Sequence, residues 1–335
     1  MITKPTYKTC WVITEGKAGM ISQALGIAEA IGFQKIVTKR VCYNLPWSLF
    51  PANFGLNSPR FLSKSSDSVL PPWPDVLITC GRQALGASLY IKEQSKGKTF
   101  TICTQDPRIN FKYFDLVIPM EHDNVSGSNV IISKLTPHKV TQKKLDEGKK
   151  LHKGLFLKKK KPYIVALLGG SSNRYKMKNA ACQDVIIKLE SILANSNGSL
   201  FITPSRRTPA QLIKMIGDTF GNNDRVVIID HTKNNPYFGL LGMADCIFVT
   251  DDSVSMISEA CSTGKKIYIL PLLNHSRGKN KEFASNLAKN QIVEIYKKEV
   301  SIGNSKAFNE TLVIAKQIQN ILIEKHNFNL EDFIS

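Results

Sequence analysis

Residues 246–271 carry the side chains best suited to binding a ligand. A strand-length apolar run at 246–250 leads into Asp251, Asp252 and Ser253, a helix-forming segment follows, and Gly264 ends that segment before a second apolar run. In open parallel sheets, ligands bind beyond the carboxyl ends of the strands, and the first N–H groups of a helix attract anions. The pattern therefore predicts an anion-binding turn.

Three side chains in this stretch indicate what the ligand would be. Ser253 and Ser255 stand at the expected start of the helix, where their hydroxyls could contact a phosphate together with the backbone. Glu259 follows Ser253 by about one and a half helical turns, so its carboxylate would face the same cleft. A carboxylate in that position suits a pair of sugar hydroxyls.

Two other predicted strands of the second half end in residues that suit a diphosphate. One leads into Gly169, Gly170 and Ser171, and glycines allow a backbone to approach a phosphate closely, although a simple turn would use them too. Another leads into Arg206 and Arg207 just before a predicted helix, where a guanidinium could clamp a pyrophosphate.

The first half shows the same arrangement at the ends of four predicted strands. Parallel strands bring their carboxyl ends to one edge of a sheet, so the polar residues there should line one wall of a cleft. These residues are Glu15, Gly16, Lys17 and Gly19 after the strand at 10–14, Arg82 after 76–80, Asp106 and Arg108 after 100–104, and Glu121, His122 and Asp123 after 116–120.

Each of these clusters has a plainer alternative. His122 is the candidate general base, because a carboxylate such as Asp123 tunes an imidazole near neutral pH, but it could also be a solvated loop histidine. Asp106 and Arg108 could bind a substrate or form a turn held by an internal ion pair. The turn around Gly16 could contact a phosphate or be an ordinary tight turn, because its spacing matches neither the dinucleotide fingerprint nor the P-loop.

The composition indicates a globular protein attracted to polyanions. The 335 residues, 42% of them hydrophobic, can bury one large or two medium cores, and the net charge of +18 favours nucleic acid, anionic lipid or phosphorylated small molecules as partners. No nucleic-acid-binding motif is recognisable, which disfavours the first class. The seven cysteines lack a C-x-x-C pair, so we expect buried reduced thiols and no metal site.

Two segments could bring the protein to a membrane surface. No apolar run reaches the ~18 residues that a spanning helix needs, and the short polar start of the chain is unlike a signal peptide. Residues 44–70 combine aromatic, aliphatic and basic side chains, and residues 139–161 are rich in lysine; both suit an anionic surface, although packing within the domain or a solvated linker is the plainer alternative. We expect a cytoplasmic protein with peripheral contact to the cytoplasmic membrane face.

The lysine-rich segment also separates two regions in which strands and helices alternate. Each region predicts an α/β, Rossmann-like, doubly wound parallel sheet. We place the first domain at residues 1–155 and the second at residues 156–305.

Motifs in register along most of the chain resemble the mitochondrial-fission ELM-type family of plants and bacteria. The sequence departs from the family pattern at Glu15, where Asp is more usual, and at Ile21, where the family has an acidic residue. The resemblance is carried by residues 15–19, 22–26, 81–82, 105–108, 121–123, 169–170, 205–208 and 250–264.

This family is in turn similar to GT-B glycosyltransferases, particularly the lipid-acceptor GlcNAc transferase of peptidoglycan synthesis. The resemblance implies two Rossmann-like domains facing across a cleft, with a carboxyl-terminal helix at 306–325 that returns to the first domain. The second domain would bind a nucleotide-sugar through Gly169, Gly170, Ser171, Arg206, Ser253, Ser255 and Glu259, and the acceptor side of the cleft would contain Glu15, Gly16, Lys17, Gly19, Arg82, Asp106 and Arg108.

Two functions remain open on this resemblance. One is metal-independent transfer of a sugar from a nucleoside diphosphate, without a tightly bound cofactor, to a membrane-associated glycan or lipid; His122 or Asp123 would be the base and Arg206 would stabilise the leaving diphosphate. The other is a non-catalytic recruitment protein of the mitochondrial-fission type that keeps the nucleotide pocket and binds a protein partner. An epimerase is disfavoured, because the chain lacks the GxGxxG turn that we expect of one.

Overall fold

The computed structural model describes residues 8–50, 57–172, 175–230, 235–275 and 279–333. The chain forms two compact units: the first holds the residues up to Lys139 and those from Asn309 onward, and the second runs from Val140 to Phe308. The division lies earlier than the predicted boundary at residue 155. Each unit is a parallel sheet with connecting helices, so the predicted α/β, doubly wound fold class is confirmed.

Five parallel strands form the sheet of the first unit, in the order β2-β1-β3-β4-β5. The elements are β1 (Thr9–Thr14), α1 (Ala18–Ile31), β2 (Lys35–Arg40), β3 (Val76–Cys80), α2 (Arg82–Gln94), β4 (Phe100–Cys103) and β5 (Leu116–Val117). β2 has no counterpart among the predicted strands, because it is an edge strand with only two apolar residues, Ile36 and Val37, among four polar ones.

The core of the first unit is formed by side chains from neighbouring strands and from α1. Val12, Ile78 and Ile102 are fully buried and pack in one cluster with Ile27 of α1. Burial of such side chains contributes about 1.5–3 kcal/mol each. α1 ends where Gly32 takes the left-handed conformation, with φ of 88°, which glycine adopts without steric cost.

Six parallel strands form the sheet of the second unit, in the order β11-β10-β9-β6-β7-β8. Its central strands are apolar along their whole length, as expected of strands covered on both faces. The elements are α3 (Gln142–Leu151), β6 (Tyr163–Leu168), α4 (Asn179–Ala194), β7 (Ser199–Pro204), α5 (Ala210–Phe220), β8 (Val226–Ile228), α6 (Tyr237–Met243), β9 (Cys246–Thr250), α7 (Val254–Cys261), β10 (Lys266–Leu270), α8 (Lys279–Lys289) and β11 (Glu294–Ile295).

The lysine-rich segment expected to link the domains contains a helix that packs inside the second unit. α3 and α6 lie so close together that a Cβ on Gly148 would be 2.6 Å from the backbone nitrogen of Gly239, and one on Gly242 would be 2.9 Å from the carbonyl oxygen of Leu145. Only glycine permits such an approach. The lysine-rich segment from Val140 onward therefore belongs to the second unit, and lysines of α3 such as Lys150 are exposed.

The last helix, α9 (Glu310–His326), belongs to the first unit. Ile314 and Ile318 are buried in the same core as the apolar face of α1. At the start of the helix, the Glu310 carboxylate accepts hydrogen bonds from the backbone N–H groups of Lys134 and Leu135, the second at 2.9 Å. A carboxylate at this position also stabilises the helix start.

Two expectations from the sequence concern membrane-spanning helices and the state of the cysteines. None of the described helices has both the length and the apolar character that a bilayer-spanning helix needs. All seven cysteines carry free thiols, six of them buried and Cys42 partly exposed. The buried thiols pack as small apolar side chains.

A buried histidine lies between α1 and α9. His138 is 2% exposed, and its backbone N–H donates to Thr311 Oγ1 at 3.1 Å. Its carbonyl oxygen lies against Gly26, where an added Cβ would be only 2.3 Å away. Burial lowers the pKa of His138 to about 4, because the apolar interior disfavours the imidazolium ion.

We expect acid to destabilise the first unit through His138. Its pKa is about 4 in the folded chain and 6.5 for an ordinary histidine, so its contribution to stability is complete above pH 6.5 and is lost as the pH falls towards 4. The free energy of unfolding should decrease by about 3 kcal/mol over this range. Urea unfolding followed by tryptophan fluorescence measures it, because Trp11, Trp47 and Trp73 all lie in the first unit.

Two variants separate this effect from other acid-sensitive groups. His138→Gln should remove most of the decrease, because glutamine does not titrate. His152→Gln, in the second unit, should leave the decrease unchanged. An equal loss of stability in His138→Gln and in the unsubstituted protein would contradict the assignment.

Candidate functional site

In each unit the strand order reverses at one place, and most of the predicted site residues lie there. In the first sheet β1 lies between β2 and β3, and in the second sheet β6 lies between β9 and β7. The connections leave such a strand on opposite faces, which opens a crevice at the carboxyl ends. We call residues 15–19 with 81–83 the β1/β3 site, and residues 169–172 with 251–255 the β6/β9 site.

The two glycines after β6 are required by packing within the protein. A Cβ on Gly169 would lie 2.0 Å from Asp252 Oδ1, and a Cβ on Gly170 would lie 2.0 Å from the carbonyl oxygen of Arg207. Neither position could hold a larger residue without moving backbone or a buried carboxylate. Close approach within the unit therefore explains both glycines, and close approach to a phosphate is not needed to explain them.

The backbone N–H groups of this turn already have acceptors. Gly169 donates to Thr250 Oγ1 at 2.7 Å, Gly170 to Asp252 Oδ2 at 3.0 Å, and Ser171 to the carbonyl oxygen of Arg207 at 3.0 Å. A phosphate cradle made of these three N–H groups would require these bonds to break. The contacts predicted for Gly169, Gly170 and Ser171 would have to use other groups, such as the Ser171 hydroxyl.

Asp252 is the central buried carboxylate of the β6/β9 site. Its side chain is 3% exposed, and Arg207 Nη2 lies 2.8 Å from Oδ2. Thr250 Oγ1 donates to Oδ1 at 2.7 Å, and the Gly170 N–H donates to Oδ2. These donors offset the cost of removing the charge from water. Asp252 thus joins the ends of β6, β7 and β9.

Arg206 and Arg207 are adjacent in sequence but have different surroundings. Arg207 is committed to the Asp252 carboxylate. Arg206 is exposed and forms no ion pair within the part of the chain that the structure describes. Its guanidinium is therefore the one that could meet an anion.

Ser253 and Ser255 stand at the start of α7, as predicted. Ser253 is the N-cap: it is buried, and its Oγ accepts from the Met256 N–H at 3.5 Å. A serine that accepts in this way still has its own O–H to donate. Ser255 is partly exposed on the first turn. The first N–H groups of a helix have no acceptor within the helix, so they too could face an anion.

Glu259 lies further along α7 and is oriented by a tyrosine. Its Oε2 accepts a hydrogen bond from the Tyr237 hydroxyl, with 2.6 Å between the oxygens. Burial, followed by the nearby Glu259 carboxylate, raises the pKa of Tyr237 well above its ordinary value, so the tyrosine remains a donor. Tyr237, at the start of α6, has no counterpart among the predicted site residues.

Two further side chains at this sheet edge are absent from the predicted binding residues. His275 follows β10, and its Nδ1 lies 3.0 Å from Asp251 Oδ1. Tyr175 follows β6 and packs against the His275 imidazole. His275 comes five residues after the predicted strand at 266–270. This position beyond a strand end is the feature of the sequence that could have identified it as a site residue.

The β1/β3 site is held together by Glu15. One carboxylate oxygen accepts from the Gln83 N–H in the first turn of α2 at 3.0 Å, and the other lies 2.8 Å from Lys17 Nζ. Gly16 has φ of 86°, which favours glycine, and Gly19 lies in the first turn of α1. The structure thus brings these four predicted residues to one edge, with Glu15 in a structural role.

The remaining residues predicted on the acceptor side make contacts within loops. The Arg82 guanidinium donates to the carbonyl oxygens of Ser48 and Phe50, the second at 2.9 Å, and so holds the loop before residue 51. Asp106 Oδ1 accepts from the Arg108 N–H at 2.8 Å, and Arg108 has φ of 56°. Asp106 and Arg108 therefore form a turn held by a bond from side chain to backbone, and the exposed Arg108 side chain does not pair with Asp106.

His122 and Asp123 lie in a short 3₁₀ turn, Glu121–Asp123, beyond β5. Both are partly exposed, and Asp123 Oδ2 accepts from the Met120 N–H at 3.0 Å, which caps the turn. The turn begins directly after the predicted strand at 116–120, although β5 itself ends at Val117. Their catalytic role stays a prediction.

One further cavity lies away from these sites. It measures about 580 Å³ and is lined by residues of β10, β11 and the segment that follows, including Lys266, Glu294 and Ser301. Lys266 is already paired with Glu294 at 2.9 Å. In the described ranges, no three His, Cys, Asp or Glu side chains are arranged to hold a metal ion.

Comparison with known proteins connects the chain to one family. The family described as "Mitochondrial fission ELM1" matches residues 18–322. The mitochondrial fission protein ELM1 of Arabidopsis thaliana is 27% identical over 275 residues, which are 74% of this chain and 64% of the plant protein. The uncharacterized protein RP120 of Rickettsia prowazekii (strain Madrid E) is 28% identical, with 93% of this chain and 97% of that protein covered.

Solved structures that resemble the chain have the GT-B fold. The UDP-GlcNAc 2-epimerase of Methanocaldococcus jannaschii has a TM-score of 0.52 at 13% identity, over 98% of this chain and 96% of the epimerase. The Neisseria meningitidis enzyme of the same name, solved with UDP-GlcNAc, has a TM-score of 0.51 at 15% identity, over 95% and 100%. The spinosyn forosaminyltransferase SpnP has a TM-score of 0.53 at 10% identity, over 95% of both chains.

These similarities show the fold alone. Epimerases and a glycosyltransferase share this fold with the chain, so the fold does not separate these two activities. Only the chemistry of the site can separate them.

Proposed function

Because the chain belongs to the mitochondrial fission ELM1 family and has the GT-B fold, we propose that it is a glycosyltransferase whose second unit binds a nucleoside diphosphate sugar. The acceptor would be a membrane-associated glycan or lipid, and no tightly bound cofactor or metal is required. The plant relative is named for mitochondrial fission, and this chain spans 64% of its length.

The β6/β9 site is the observation that carries this proposal. At the place where the strand order reverses, the hydroxyls of Ser171 and Ser253 and the start of α7 lie at the ends of β6 and β9, and the exposed Arg206 follows β7, the next strand of the sheet. All of these groups favour an anion, and the buried carboxylate of Asp252 between them is neutralised by Arg207. A diphosphate matches the site in charge.

The same geometry suggests which residues would contact the diphosphate and which would contact the ribose. Ser253 and Ser255, with the first N–H groups of α7, would bind phosphoryl oxygens, and Arg206 would neutralise the charge that develops when the diphosphate leaves. Glu259, held by Tyr237, would accept hydrogen bonds from the ribose hydroxyls. The base that activates the acceptor would come from the first unit, with His122 and Asp123 as candidates.

One observation favours the second candidate function, a recruitment protein without catalysis. The N–H groups of Gly169, Gly170 and Ser171 are bonded within the unit, and so are less suited to a phosphate than open N–H groups would be. A chain that binds a nucleotide to fix its shape, and then binds a protein partner, would need fewer phosphate contacts than an enzyme.

Nucleotide binding is the experiment that tests the proposal. Isothermal titration with UDP, GDP, ADP and CMP should give a dissociation constant in the micromolar to millimolar range for at least one of them. Arg206→Gln and Glu259→Gln should each weaken that binding about tenfold, since each removes a hydrogen bond to or from a charged group. Lys214→Gln is the matched control: Lys214 is an exposed residue of α5 paired with Asp218 on its own helix.

Products then separate the candidate functions. A transferase should release the nucleoside diphosphate from its sugar donor only when an acceptor extract is present, whereas an epimerase would convert the donor without an acceptor. If none of the nucleotides binds at millimolar concentration and Glu259→Gln leaves the cellular role intact, the transferase proposal is lost.

A further inference from the structure

The segment after β10 folds back onto the end of β9. His275 Nδ1 lies 3.0 Å from Asp251 Oδ1, and the same oxygen accepts from the Leu272 N–H at 3.1 Å. The two side chains are 12% and 5% exposed. The backbone N–H of His275 donates to the carbonyl oxygen of Leu272 and closes the turn that holds the imidazole beside Asp251. The contact between Nδ1 and the carboxylate has the distance of an ion pair without the geometry of a hydrogen bond, and it keeps Nδ1 on the Asp251 side of the ring.

Tyr175 places this pair at the β6/β9 site. Its ring meets the His275 imidazole edge to face, with 4.9 Å between the ring centroids, and its hydroxyl donates to the carbonyl oxygen of Leu273 at 3.1 Å. Tyr175 follows β6, whereas His275 follows β10, and these two strands flank β9 in the sheet. The two loops therefore meet above the end of β9, beside Asp251 and Asp252.

We propose that His275 binds a phosphoryl oxygen of the ligand at the β6/β9 site through Nε2–H, and that Asp251 is its positioning residue. This inference rests on the proposed function, because it concerns the same anion. Because Nδ1 lies 3.0 Å from the Asp251 carboxylate, Nε2 is the ring nitrogen that is left to meet a ligand. A protonated imidazole donates from both nitrogens, whereas the neutral ring with its hydrogen on Nδ1 can only accept at Nε2.

The charged groups around His275 determine when it can donate. Asp251 first, and Asp252 more weakly, raise the pKa of His275 above its ordinary value, whereas burial and Lys281 of α8 oppose this rise. Tyr175 stays neutral, because burial raises its pKa to about 12. His275 therefore remains protonated to a higher pH than an ordinary histidine. The affinity for a phosphate should be highest below the pKa of His275 and should decline as the pH rises through that pKa.

Titration calorimetry with UDP and with inorganic pyrophosphate, between about pH 6 and about pH 9, tests the proposal. The unsubstituted protein should lose about tenfold in affinity as the pH rises. His275→Gln should bind about tenfold more weakly at the acid end and show little further loss. Asp251→Asn should shift the loss of affinity to lower pH, and His152→Gln, outside the site, should behave as the unsubstituted protein.

A second measurement does not depend on the His275 variant folding. The pKa of His275, followed by NMR of the imidazole protons, should rise when pyrophosphate binds, because the ligand prefers the protonated ring. An unchanged pKa on binding, or an equal loss of affinity with pH in the unsubstituted protein and in His275→Gln, overturns this inference and leaves nucleotide binding standing. If the unsubstituted protein binds neither pyrophosphate nor any of UDP, GDP, ADP and CMP, both this inference and the proposed function are overturned.

Discussion

Gly170→Ala is expected to lower the free energy of unfolding of the second unit by about 3–5 kcal/mol. An added Cβ would lie 2.0 Å from the carbonyl oxygen of Arg207 and 2.6 Å from the backbone nitrogen of Thr208. Both atoms belong to backbone, so no side chain can rotate to relieve the overlap, and the end of β6 must move away from the end of β7. Urea unfolding followed by far-UV circular dichroism measures the change.

The matched control is a glycine of the same unit with free space around it. Gly217 lies exposed in α5, and an added Cβ there has no neighbour within 4 Å. Gly217→Ala should therefore stabilise the unit by about 0.5–1 kcal/mol, because alanine loses less backbone freedom in a helix. A loss of less than about 1 kcal/mol in Gly170→Ala would show that the two turns are not in contact as described.

The second large effect distinguishes two adjacent arginines. Arg207→Gln should lower the free energy of unfolding by about 3 kcal/mol, since it leaves the buried Asp252 carboxylate without its cation. The Gly170 N–H and the Thr250 hydroxyl still donate to Asp252, which places the loss at the lower end of the range for broken buried pairs. Arg206→Gln should change stability by less than about 0.5 kcal/mol, because that side chain is exposed.

The variants Arg206→Gln and Arg207→Gln should give opposite results in two assays. Chemical unfolding should detect Arg207→Gln alone, while nucleotide titration of the folded protein should detect Arg206→Gln. Arg207→Gln with Asp252→Asn should recover part of the lost stability, since the double variant buries no unpaired charge. Equal destabilisation by the two single arginine variants would show that the Arg207–Asp252 contact contributes little.

The fold class could be read from the sequence because its signal is local. β6 and β9 are unbroken apolar runs, as strands covered on both faces must be, and helices with an apolar face lie between such runs. The polar turns at 169–171 and 251–255 also follow directly from the order of residues, since each comes just after a strand. The position of these two turns at the carboxyl edge of the second sheet therefore follows from the sequence.

The domain boundary could not be read in the same way. Residues 140–155 contain many lysines, a composition typical of a solvated linker. Their attachment to the second unit depends on Gly148 of α3 meeting Gly239 of α6. These two glycines are far apart in the chain, and neither has a neighbouring residue that reveals the contact.

What the sequence determines by itself is the alternation of apolar strands and polar turns, and with it the fold, the family and the edge of each sheet where a ligand would bind. The tertiary structure alone decides the role of each residue at that edge. It commits Arg207 to Asp252 and leaves Arg206 exposed, explains the glycines after β6 by internal packing, and brings His275 to Asp251. The physical reason is that burial, pairing and pKa depend on neighbours contributed by other strands, whose distance in space no local pattern records.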